Sequence, residues 1–146
     1  MAAAVLLKAA ARALSAAFPG MTVYYDTPMQ GAQEPYLLVR QTGLEQAPDG
    51  PGQYRRTYRI GVETHRGRDA RAAAAPEIAE RLLICLRKLD AEGGSVMAGG
   101  IACSMEERGE VLCVAEYSTR VAVGPAPGTE GALMRSLTYD REIKGV

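Results

Sequence analysis

A chain of 146 residues, 47% of them apolar and with 17 basic residues against 17 acidic ones, fits one compact globular domain. That balance excludes a disordered polymer, and zero net charge argues against a free-standing DNA or membrane binder. No run approaches the roughly 20 apolar residues that a membrane span needs.

The first element expected is a helix over residues 2–18. Leu7, Ala10, Ala11, Leu14 and Phe18 recur at helical spacing, and Pro19-Gly20 stops the pattern. The alanine-rich start superficially suggests a signal peptide, but Lys8 and Arg12 interrupt it and no basic segment precedes it. A cytoplasmic, reducing location is therefore expected. Residues 21–26 follow as a short strand rich in β-formers (Thr22, Val23, Tyr24, Tyr25), and residues 27–35 as a loop broken by Pro28, Gly31 and Pro35. The almost unbroken apolar run Leu37-Leu38-Val39 places a strand at 36–42. Residues 43–52, GLEQAPDGPG, read as a long polar loop at the tip of a wide hairpin.

The stretch QYRRTYRIGVE, residues 53–63, is the expected central strand. Alternation puts Tyr54, Arg56, Tyr58, Ile60 and Val62 on one side and Arg55, Thr57, Arg59, Gly61 and Glu63 on the other. Tyr58, Ile60 and Val62 belong to the core face, and the arginines leave a cationic surface on the opposite one.

A second helix is expected to start around residues 72–76 and run to Asp90, with Ile78, Leu82, Leu83, Leu86 and Leu89 as its apolar stripe. Gly93-Gly94 would end it. A short strand at 95–98 and a bend at Gly99-Gly100 come next. Residues 101–106 and 110–123 then form a hairpin turning at 107–109, with Val111, Cys113, Ala115, Tyr117 and Thr119 on one face. GPAPG (124–128) is a linker, and the mixed-charge remainder an interaction tail. The fold class is thus α+β. A mostly antiparallel sheet of about five strands carries two helices on one face, in the order α-β-β-β-α-β-β, with an extended C-terminal tail. Residues 1–123 form the domain and 124–146 the linker and tail.

Catalytic chemistry is hard to find. The one histidine, His65, has no carboxylate partner at helical spacing, and no GxSxG, GxGxxG or GKS/GKT motif occurs. The three cysteines, Cys85, Cys103 and Cys113, lack the paired spacing of a zinc site and are read as buried, reduced thiols. No catalytic residue, cofactor or metal is expected, nor specific nucleic-acid binding, since aromatics for base stacking are scarce.

Four places carry a family resemblance: Phe18-Pro19 followed by Val23-Tyr24-Tyr25; Gln30-Gly31 with Glu34-Pro35 leading into an apolar strand; Tyr54-Arg55-Arg56-Thr57-Tyr58 continuing to Ile60; and Ile78-Ala79-Glu80-Arg81-Leu82. In these motifs and in element order the chain resembles the small tail terminator proteins of long-tailed bacteriophages and prophages. The proline-bearing start of the second helix and the GPAPG linker depart from that pattern.

The resemblance implies a non-enzymatic virion protein, assembled in the host cytoplasm and resident at the neck end of the tail. Such proteins form a ring, usually hexameric, that caps the tail tube, stops its polymerisation and offers a surface for head-tail joining. Its implied partners are copies of itself, the tail tube protein and the head-tail connector, with DNA passing through the lumen. Interface candidates are Asp49, Tyr54, Arg55, Arg56 and Arg59, with Leu133 and Leu137 in the tail. Deleting residues 125–146 should then weaken assembly and leave the fold intact; a truncated monomer that melts much earlier would count against it. Two alternatives remain open: another neck component, such as a connector or completion protein, and a small α+β ligand-binding domain or enzyme. The latter would require polar residues converging on His65.

Overall fold

The computed structural model describes residues 2–25, 31–67, 72–107 and 109–122. The expected linker and tail, with Leu133 and Leu137, lie outside these residues. In chain order the elements are α1 (Ala3–Ala17), β1 (Thr22–Tyr25), β2 (Tyr36–Pro48), β3 (Gln53–His65), α2 (Ala75–Leu86, entered through a single turn of tighter helix), β4 (Lys88–Ala91), β5 (Gly94–Met105) and β6 (Val111–Ala122). The strands form one sheet in the order β1-β2-β3-β6-β5-β4. The α+β class and the element order are as expected, but the strands number six, not five. The chain divides into two compact units, Met1–Gln46 with Arg56–Thr119 and Ala47–Arg55 with Arg120–Val146.

The core of the first unit follows from periodicity. In β3, Tyr58, Ile60, Val62 and Thr64 are buried in alternation, as are Val111, Cys113, Ala115 and Tyr117 in β6. Leu6, Leu7, Ala10 and Leu14 of α1 and Ile78, Ala79, Leu82 and Leu86 of α2 join the same cluster, so both helices cover one face of the sheet. Polar contacts pin these layers. Tyr117 donates from its hydroxyl to the carbonyl of Leu86 at 2.6 Å, satisfying an acceptor at the end of α2 that the helix itself leaves open. Arg81 of α2 lies over the Phe18 ring, 4.2 Å from its centroid, and donates to the carbonyl of Ala17 at the end of α1. Thr64 bridges β3 to β6, its hydroxyl donating to the carbonyl of Val111 (3.1 Å) and accepting from the Val111 amide (2.8 Å).

Four expectations need correction. The long loop at 43–52 is mostly strand, since β2 runs on to Pro48 and only residues 49–52 turn. Exposed, polar residues hid the ribbon, because a strand solvated on both faces shows no apolar alternation. The second helix ends at Leu86, and Leu89 is buried on β4 instead. Glu92 and Gly93 form a two-residue hairpin turn, with positive φ at Gly93 (88°) and at Gly94 (135°), the first residue of β5, so the glycines pair Leu89 with Val96 and do not stop a helix. The segments 95–98 and 101–106 are one strand, β5, with a register shift between Ala98 and Gly100. Finally, Cys103 and Cys113 stand directly opposite each other on β5 and β6 and are joined as a disulfide; only Cys85 remains free, its thiol pushed up by burial against the opposing effect of Arg81. Apolar alternation made them look like small hydrophobes, and the register that brings them together is not visible in spacing alone.

One pairing departs from the antiparallel rule. β1 runs parallel to β2, Thr22 against Tyr36 through Tyr25 against Val39.

Candidate functional site

With both helices on one side, no helix among the described residues covers the other side of the sheet, and the expected arginine-bearing face lies there. Arg59 donates to Glu116 (2.7 Å) and to Glu45 (3.3 Å), and Arg40 pairs with Glu63. Thr57 and Ser118 share a hydrogen bond of 2.9 Å across β3 and β6. On the other side of β3, the side of Tyr58, Arg56 clasps the side-chain oxygen of Gln46 through two nitrogens, at 3.0 and 2.7 Å. In the second unit Asp49 accepts from Arg55 (3.5 Å) and Arg120 (3.1 Å) at the hairpin turn, beside the half-exposed Tyr54. The expected cationic surface is therefore a charge-matched one. Exposed ion pairs of this kind contribute little to the stability of the fold.

The uncovered face is not wholly polar. Leu112 of β6 is 38% exposed there, opposite Ser104 of β5. On α2, the side turned away from the core carries Ile84, 67% exposed, and Leu83. Sequence reasoning placed Leu83 in the core stripe and passed over Ile84. The helical stripe of i, i+4 positions, with Ile78, Leu82 and Leu86 buried, excludes both.

A third cluster went unread in sequence. Its members are far apart in the chain, and the topology gathers them at one end of the sheet. Glu34 precedes β2, His65 ends β3 and Glu110 precedes β6; one potential ligand atom from each lies within 4.8 Å of the others. Tyr36 stacks on the His65 ring at 4.6 Å between centroids and 16° between planes, and Tyr24 meets Tyr36 edge-on. Burial, and then the charges of Glu34, Glu63 and Glu110, push the Tyr36 hydroxyl above its ordinary pKa.

Among the described residues no helix is long and apolar enough to cross a membrane. The described residues form a small α+β domain whose two helices pack on one face of the sheet. Residues 6–125 match the family described as phage tail terminator protein, and the chain belongs to that family. It is a structural protein of the phage tail, which contacts other tail proteins. No curated protein sequence matches the chain. Among 21 matching chains of solved structures, one shares 16% identity over 79% of this chain and 89% of its own, at a TM-score of 0.38, a likeness too slight to carry an argument.

Proposed function

We propose that the protein closes into a ring, a hexamer by family analogy, that caps the end of the phage tail tube, stops tube growth and offers the surface on which the head connector joins. The observation that carries this reading is the one-sided sheet in a member of the tail terminator family. A ring of identical subunits needs two different complementary patches on each copy, so that contact runs head to tail and the rotation closes. The first unit has two such patches: the outward side of α2 with Leu83 and Ile84, and the uncovered sheet face with Leu112, flanked by Arg59 and Glu116. Apolar anchors ringed by matched charges suit a protein interface. The hairpin turn with Asp49, Tyr54 and Arg55 borders the lumen, through which DNA passes, and Arg56 and Arg59 contact the neighbouring subunit. Residues 129–146, with Leu133 and Leu137, reach a neighbour or the tube.

Light scattering on the purified protein, with and without its tail tube protein, tests this. The expected result is a ring-sized species, or a monomer that closes into a ring only on the tube. Ile84→Glu should abolish the ring and leave the monomer's melting temperature nearly unchanged, because surface substitutions usually stay within about 0.5 kcal/mol. A monomer or dimer indifferent to the tube would overturn the reading, and so would a ring that tolerates Ile84→Glu.

A further inference from the structure

The polar convergence on His65 has an internal logic that a solvated surface cluster lacks. Nε2 of His65 lies 3.2 Å from Oε1 of Glu63, and Glu63 is itself held by Arg40. A carboxylate can only accept, so Nε2 carries the proton and donates it. In the neutral ring the lone pair is then on Nδ1. That nitrogen faces Oε2 of Glu110 across 3.8 Å, too far for a hydrogen bond and with an acceptor on either side. Oε1 of Glu110 is already engaged, accepting from the backbone amide of Arg66 at 3.2 Å. The Arg66 side chain stands off from it: Nε is 3.9 Å from Oε1 and, although the side chain is only 7% exposed, has no hydrogen-bond partner among the described residues. Its guanidinium is instead directed at the carbonyl of Gly109. Among the described residues, Oε2 of Glu110 therefore has no hydrogen-bond donor and faces an imidazole lone pair.

Glu34 closes the third side. A Cβ placed on Gly67, whose φ is +101°, would meet its side chain at 3.6 Å, so the carboxylate lies against the backbone that follows His65. Two acceptors facing each other require something positive between them, and here a third acceptor joins them. Among the described residues around this point, the carboxylates of Glu34, Glu63 and Glu110 outnumber the guanidinium groups of Arg40 and Arg66, and Tyr36 holds the imidazole plane by stacking.

We propose that Glu34, His65 and Glu110 bind a divalent first-row transition ion of the zinc class, with His65 ligating through Nδ1, Glu110 through Oε2 and Glu34 through its carboxylate. One imidazole with two carboxylates suits such an ion, whereas magnesium and calcium prefer oxygen alone. Glu63 acts as the orienting partner, its hydrogen bond to Nε2 fixing the tautomer and the basicity of the ligating nitrogen. The ion ties together the approach to β2, the end of β3 and the start of β6.

The test uses full-length protein freed of any affinity tag, without reductant, titrated with cobalt(II) and zinc(II). Expected are visible cobalt absorption that saturates at a single equivalent, its displacement by zinc, and a zinc-dependent rise in melting temperature. His65→Asn and Glu34→Gln should remove the saturable signal. Glu63→Gln should weaken binding about 10- to 100-fold, as loss of an orienting carboxylate does elsewhere. Cys85→Ser should bind like the parent. Melting curves in chelator show which variants remain folded, and the exposed Glu34→Gln serves if His65→Asn does not fold. Absence of saturable binding would overturn the proposal, as would binding that survives Glu34→Gln or disappears with Cys85→Ser. An imidazole shown by nitrogen NMR to be doubly protonated at neutral pH and unmoved by zinc would also overturn it, leaving a proton in the gap.

Discussion

Replacing Tyr117 with alanine should cost the fold about 3–5 kcal/mol, the range for deleting a fully buried aromatic side chain. Tyr117 is fully buried on the inner face of β6, and its hydroxyl answers the open carbonyl of Leu86 at 2.6 Å. Truncation empties the volume between sheet and helix and leaves that carbonyl unpaired. Tyr117→Phe separates the two effects. It keeps the ring and loses only the hydrogen bond, for about 1–3 kcal/mol. Urea midpoints at unchanged slope are the measurement, and a phenylalanine variant as stable as the parent would refute the role given to the hydroxyl.

The same residue sets an alkaline limit. Burial pushes the Tyr117 hydroxyl well above its ordinary pKa of about 10. Above that pH the unfolded chain releases the proton while the folded one retains it, so the unfolded state gains. Its contribution to stability is therefore complete below about pH 10 and is lost as pH rises beyond. Tyr36 acts in the same direction, so the diagnostic quantity is the shallower alkaline decline of Tyr117→Phe relative to the parent.

Gly61→Ala should destabilise the protein by about 1–3 kcal/mol, the usual cost of overpacking. A methyl group there would sit 2.8 Å from Cγ2 of Thr42 on the neighbouring strand, closer than carbon atoms can approach. Thr42 is short and β-branched, so it cannot swing its methyl clear without leaving its rotamer. Combining the change with Thr42→Ala removes the obstructing atom and should restore most of the loss. A double-mutant cycle in which the two costs simply add would show that the contact is not the cause.

Much of this fold was legible because burial is one-sided. The alternation Tyr58, Ile60, Val62 and the stripe Ile78, Leu82, Leu86 each state their own period, and these residues are buried on the strand and the helix that the periods predict. The errors fall where local pattern and pairing part company. Leu89 is apolar and buried in a helix or in a strand, so its place on β4 was decided by the glycine turn and the pairing with β5. Leu44, Glu45 and Gln46 carry no core face, so nothing local marked them as strand. The arginines of β3 were visible, but their partners Glu45, Glu116 and Asp49 come from other segments, and charge matching is a property of register. The same holds for the histidine cluster, in which His65 sits 31 residues after Glu34 and 45 before Glu110.

The sheet is also tapered. β4 has four residues and β5 twelve, and their pairing ends where Lys88 meets Met97. Beyond Ala98, whose amide is taken by the carbonyl of Arg87, the outer edge of β5 has no partner strand among the described residues. Free strand edges ordinarily invite sliding, because one backbone pairs with another at many offsets. Here the end of β4 acts as a doorstop. A strand that added beside β5 could not slide past that end, so the step limits its offsets in one direction.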